Sequence, residues 1–177
     1  MQRFVTSTRT ALLLVVTLTV VASACSADSA VEIPGSDART LELAPDFTVP
    51  THDGGTFSLD DHIAKDGRPI FMNLWASWCF PCRAEMPAID AASKTHTEIA
   101  FIGISVKDTR AEATAFVEEI GVTYTIGFDD DNQVDDEYRP LGLPASYIIS
   151  GDGVILERIF GEVTEESLAE KFAKHFG

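Results

Sequence analysis

Two cysteines separated by two residues, in Trp78-Cys79-Phe80-Pro81-Cys82, stand where an apolar run ends and a helix can begin. The run from Pro69 to Trp75 is short, apolar and aromatic, which suits a buried strand rather than a helix. Pro81 follows at a place where the first helical turn tolerates a missing N–H. With a helix starting at or just after Cys79, that thiol sits over unpaired backbone N–H groups at the positive end of the helix dipole, which favours its thiolate. A thiolate with a second thiol one turn away is what thiol–disulfide exchange requires. Cys79 is the expected nucleophile, and Cys82, deeper in the helix, the expected resolving thiol. The competing chemistry is half of a zinc site. Zinc takes about four ligands, yet the sequence has no second Cys pair, and His52, His62, His96 and His175 are isolated, so no metal is expected.

The rest of the chain supplies elements to hold these thiols. Ala44 to Val49 and Thr56 to Leu59 are short alternating runs around His52-Asp53-Gly54-Gly55, which predicts a hairpin. Asp60 or Asp61 is expected to cap a short helix through Ala64, ended by Asp66-Gly67. A strand over about 68–75 precedes a helix from Cys79 to about Thr95, with a kink expected at Pro87. Ile99 to Val106 predicts a second central strand. Thr109 and Glu112 have capping-box spacing, Ala113, Phe116, Val117 and Ile120 share one helical face, and Gly121 stands at the C-terminal cap. Tyr124 to Gly127 reads as a strand, and Asn132 to Tyr138 as a helical turn or two. Pro144 to Ile149 and Val154 to Phe160 form an antiparallel pair around Gly151-Asp152-Gly153. Thr164 caps a last helix whose stripe is Leu168, Ala169, Phe172 and Phe176. This order predicts an α/β domain with a mixed sheet covered on both faces. Asp129-Asp130-Asp131 and Asp135-Asp136-Glu137 invite a calcium loop, but Val134 stands where an EF-hand needs glycine and Pro140 where it needs glutamate, so a solvated acidic loop is expected.

Trp78 to Cys82, with Asn73-Leu74-Trp75 before them and Arg83-Ala84-Glu85-Met86-Pro87 after, resembles the active-site segment of the TlpA/ResA family, which are thioredoxin-like, membrane-anchored extracytoplasmic thiol-disulfide oxidoreductases. A bare Cys-x-x-Cys would be weak; the whole block is more specific, and the similarity runs from about Ala44 to Phe176. The resemblance implies a thioredoxin fold with an added N-terminal β-hairpin, and no cofactor beyond the redox-active Cys79–Cys82 disulfide. It implies that Gly142-Leu143-Pro144-Ala145-Ser146 is a cis-proline segment facing the thiols, where Leu143 presents backbone groups to an extended substrate beside Pro144. Ala145 and Ser146 depart from the threonines frequent there. Asn73 lies six residues before Cys79, where thioredoxin has a buried carboxylate. Asparagine cannot ionise, which leaves proton transfer to water or to a neighbour such as Glu85. Glu85 has an equally open second reading, as an acid complementing the helix dipole. Phe80 is expected on the surface against an apolar substrate, with shielding of Cys82 from solvent as the alternative, and Trp78 in the site wall.

The implied partners are thiols or disulfides of exported proteins, and a membrane electron donor or acceptor for recycling. The resemblance leans to a reductase, with cytochrome c maturation among the processes served; a disulfide-donating oxidase of the same fold is the alternative. A thiol peroxidase shares the hairpin, but it has Thr or Ser three residues before its nucleophile and Pro seven before, where this chain has Ala76 and Met72. A copper-binding module of this fold usually has wider cysteine spacing and a partner histidine, and none is placed here.

Residues 1–24 read as a secretory signal: Arg3 and Arg9, an apolar run over 11–21, and Ala22-Ser23-Ala24 before Cys25. Ending on Cys25, the segment also resembles a bacterial lipobox, although Ala22 is smaller than usual. Lipidation of Cys25 resolves the odd count of three cysteines by leaving Cys79 and Cys82 as a pair. The expected place is the extracytoplasmic face of the bacterial cell membrane, lipid-anchored, with plain secretion as the alternative. Residues 25–43, small, polar and acidic, read as a flexible tether, and 44–177 as one domain. Loss of Arg3 and Arg9 takes the net charge from −15 to −17, which disfavours nucleic acid as a partner.

Overall fold

Short alternating runs at the start of the folded chain pair as β1 (Thr48–Pro50) and β2 (Thr56–Ser58), antiparallel, with Val49 opposite Phe57. The structure is a computed structural model that describes residues 41–177. The expected signal segment, Cys25 and all but the last residues of the tether lie outside the described residues. After the hairpin come α1 (Leu59–Lys65), β3 (Ile70–Trp75), α2 (Phe80–Thr95), β4 (Ala100–Ser105), α3 (Arg110–Ile120), β5 (Thr125–Phe128), α4 (Gln133–Tyr138), β6 (Ala145–Ile149), β7 (Ile155–Phe160) and α5 (Glu165–Phe176). The main sheet has the order β5-β4-β3-β6-β7; β3, β4 and β5 run parallel, and β6 and β7 antiparallel to their neighbours. Among the described residues no helix is long and apolar enough to cross a membrane.

Strands β3 to β6 are largely buried on both faces, as expected for strands covered by helices, whereas the edge strand β7 leaves alternate residues exposed. Phe71 and Trp75 of β3 enter a core with Met86 and Ile89 of α2, Phe116 of α3 and Phe172 of α5. Ile70, Met72 and Leu74, on the alternate positions, pack with Phe47, Val49, Leu59, Tyr138 and Tyr147. The hairpin, α1 and α4 thus cover one face, and α2, α3 and α5 the other.

The expected caps of α3 and α5 are present: Thr109 Oγ1 accepts from the Glu112 N–H, Thr164 Oγ1 from the Ser167 N–H, and Gly121 ends α3 in the left-handed region at φ 75°. Three expectations need correction. The cap of α1 is Ser58, which accepts from the Asp61 N–H; Asp60 and Asp61 lie inside the first turn. Ala169 is exposed, so the buried stripe of α5 is Leu168 and Phe172 with Phe176 partly covered. The acidic stretch is not wholly solvated: Asp129 is buried and its carboxylate accepts from the first-turn N–H groups of Val134 and Asp135 in α4, whose N-cap is Asn132, and Asp135 is also buried. Helix α2 runs from Phe80 to Thr95 with Pro87 inside it.

Candidate active site

The C-terminal end of β3 delivers the chain to the thiols. Cys79 is the N-cap of α2 with extended backbone (φ −81°, ψ 102°), its N–H donates to the Ala76 carbonyl, and Pro81 occupies the first turn. The Cys82 N–H points at Cys79 Sγ at 3.3 Å, so the sulfur sits at an unpaired backbone donor, as the sequence pattern requires. Cys79 and Cys82 are joined as a disulfide, with Cα atoms 5.3 Å apart. Cys79 keeps 4% of its surface and Cys82 none; the outer sulfur is the one that a partner can reach. The flanking rings stand out to solvent, Trp78 at 62% and Phe80 at 82% exposure. Phe80 therefore does not cover Cys82.

The loop before Cys79 is held from the neighbouring strand. Asp108, just after β4, accepts from the Ser77 N–H at 2.6 Å and the Ser77 hydroxyl at 3.0 Å, and the Trp78 indole donates to the Lys107 carbonyl at 3.0 Å. Behind the disulfide, Trp75 stacks on Phe116 with ring centres 5.3 Å apart. Leu143-Pro144 is cis. In the β3–β6 register Ala145 lies opposite Leu74, so Pro144 continues beside Trp75 at the end of the sheet from which the Cys79 loop leaves.

Asn73 and Glu85 meet in the core beneath this end. Asn73 Nδ2 donates to Glu85 Oε1 at 2.8 Å and to Ser146 Oγ at 3.0 Å, and Glu85 Oε2 accepts from the Val163 N–H at 3.0 Å. Both residues are fully buried. Burial pushes the Glu85 carboxyl up to about 7, against the two hydrogen bonds that favour its charged form and with the nearby Glu162 charge adding to the rise. Glu85 is thus a core carboxyl in the second turn of α2, not a surface acid.

The structure brings Cys79, Cys82, Trp78 and Phe80 to the start of α2, places Leu143 and Pro144 on the adjoining strand end, and sets Asn73 and Glu85 below. Sequence reading missed Asp108, Val163 and Gly161, whose N–H donates to the Pro144 carbonyl at 3.0 Å. For Asp108 a signal existed, an acidic residue at the end of a central strand just ahead of a helix cap. For the other two there was none.

The chain matches the model of the AhpC/TSA family over residues 41–158. It is 35% identical over 140 residues to the thiol:disulfide interchange protein HelX of Rhodobacter capsulatus, covering 78% of this chain and 74% of HelX. It is 31% identical over 127 residues to the thiol-disulfide oxidoreductase ResA of Bacillus anthracis, covering 71% and 72%. Among solved structures it is similar to a putative thiol:disulfide interchange protein DsbE from Chlorobium tepidum, with a TM-score of 0.71 at 25% identity over 77% of this chain and 97% of that one. An adjacent, disulfide-forming Cys79–Cys82 pair on a thioredoxin-like scaffold agrees with all of these, and the chain belongs to the thioredoxin-like thiol-disulfide oxidoreductases of the AhpC/TSA family.

Proposed function

We propose that this thiol-disulfide oxidoreductase works as a reductase of exported proteins, held by a lipid on Cys25 at the extracytoplasmic face of the bacterial cell membrane and recharged by a membrane electron donor, with cytochrome c maturation as the process served. The carrying observation is the Cys79 sulfur at the N-cap of α2, facing the Cys82 N–H, with Cys82 sealed behind it. In the reduced protein Cys79 is the nucleophile. Its thiolate attacks a substrate disulfide, one substrate sulfur leaves as thiolate, and a mixed disulfide forms; Cys82 then attacks Cys79 Sγ, releasing the second substrate thiol and closing the Cys79–Cys82 disulfide. Two electrons pass to the substrate. The buried Cys82 must lose its proton to react. Glu85, one turn further along α2 and titrating near neutrality, is the group proposed to accept it, with Asn73 orienting the carboxyl. Leu143 and Pro144 position the substrate backbone, and Trp78 and Phe80 offer it apolar surface.

The reduction potential of the Cys79/Cys82 couple, measured against glutathione buffers, tests the direction. A value near or below about −270 mV is expected of a reductase. A value near about −120 mV would make the protein a disulfide donor instead.

A further inference from the structure

Three residues between β7 and α5 make contact with both halves of the machinery. The Gly161 N–H donates to the Pro144 carbonyl at 3.0 Å, and two residues later the Val163 N–H donates to Glu85 Oε2 at 3.0 Å. Val163 is buried in the same core as Cys79 and Cys82, whereas Gly161 and Glu162 are exposed. Gly161 has φ 93°, a backbone region that favours glycine, although a Cβ there would meet nothing within 4 Å. Conformation, rather than space, therefore fixes its identity. The register explains why the strap reaches Pro144: Phe160 lies opposite Ala145, so the chain leaving β7 passes the residue before β6.

We infer that the strap Gly161-Glu162-Val163 is a positioning element for substrate: anchored through Val163 on Glu85 of α2, it uses the Gly161 N–H to fix the carbonyl of Pro144 and hence the Leu143–Pro144 backbone on which a polypeptide substrate docks. The inference rests on the reading of Pro144 as the substrate-docking segment, and it adds residues that touch neither the sulfurs nor the substrate. A small disulfide that makes no strand-like contact with Leu143 is indifferent to the strap. A peptide disulfide is not.

The test compares two probes on the reduced full chain: a glutathionylated peptide of about ten residues, long enough to lie along Leu143–Pro144, and dithiobis-nitrobenzoate. For Gly161→Ala the peptide rate is expected to fall about three- to tenfold, the scale of one weakened hydrogen bond. The dithiobis-nitrobenzoate rate stays within about twofold, and the reduction potential is unchanged. Gly161→Asn, the substitution that best tolerates a positive φ, recovers part of the peptide rate. Equal losses on both probes, or no loss on either, overturn the inference. A measurement that needs no strap variant uses the mixed disulfide of Cys82→Ser with the same peptide, in which the Gly161 and Val163 amides are expected to exchange with deuterated solvent at least about threefold more slowly than in the free protein; unchanged exchange overturns the inference as well. A wild-type protein inert toward both probes would instead defeat the exchange reading itself.

Discussion

Glu85 meets uncharged hydrogen-bond donors, the Asn73 amide and the Val163 N–H, and burial outweighs both, so its carboxyl titrates near 7 instead of in the usual acid range. Asn73 serves either ionisation state. As placed, it donates Nδ2 to the carboxylate while its Oδ1 has no partner among the described residues; turned over, the amide offers Oδ1 to a protonated Glu85. An ionised aspartate at 73 could accept from a protonated Glu85 but could not donate to an ionised one, and would then face a second carboxylate across 2.8 Å. The cost of this tuning falls on stability. An acid whose folded value is raised leaves stability intact below its unfolded value of about 4.5 and loses it progressively as pH climbs to about 7. Glu85→Gln removes that titration and keeps an acceptor for Val163. Its unfolding free energy relative to wild type should therefore grow by about 2–3 kcal/mol between about pH 4 and about pH 8, read from urea curves. A constant difference across that range would show that Glu85 ionises as an ordinary carboxylate. Exchange by the variant should also lose the wild-type inflection near pH 7.

At the scale of elements, α2 is positioned at its start by a loop, and the loop by Asp108. The two bonds from Asp108 to Ser77 join the β3–α2 and β4–α3 connections. Asp108→Ala leaves the Ser77 N–H without its carboxylate and frees the approach to Cys79. A loss of about 1–3 kcal/mol in stability is expected, with slower exchange toward peptide and small disulfides alike, because the sulfur itself is displaced. Retained rates with lowered stability would confine Asp108 to folding. These elements also show what the sequence could and could not disclose. Cys79, Pro81 and Cys82, the Thr109 cap with Gly121, and the Thr164 cap are local patterns spanning a few residues, and each was legible. The cap of α1 went to Ser58 rather than to Asp60 or Asp61 because the residue leaving β2 is the one with extended backbone. Asp129 looked like one of a solvated run until α4 folded back over it. The bonds from Ser77 to Asp108, from Val163 to Glu85 and from Asn73 to Ser146 join residues 31, 78 and 73 positions apart; only the closed sheet creates them.

The whole molecule carries a net charge of −15 in its full sequence, and its titrating groups pull stability in two directions. Glu157 on β7 receives Lys171, Lys174 and His175 of α5, which hold its carboxyl down at about 2. A depressed acid contributes stability that is present above its unfolded value and lost as pH falls through the folded one. Asp66, held down by Arg68, adds in the same sense. On the other side stand Glu85 and Asp129, both raised by burial, whose ionisation weakens the fold as pH rises. Excess negative charge adds self-repulsion on that side. The two trends cross near the unfolded value of the carboxylates, so the oxidised protein should be most stable at about pH 5, not at neutrality. Urea midpoints for the full chain with its disulfide intact, taken from about pH 3 to about pH 9, are expected to peak there and to decline toward both ends. The alkaline decline should be shallower in Glu85→Gln, and the acid decline shallower in Glu157→Gln, whose peak starts lower because the clamp on α5 is already gone. A midpoint that climbs steadily from pH 5 to pH 8 would mean that the buried carboxyls find charge partners in solution, and it would remove the basis for Glu85 as a proton acceptor poised near neutrality.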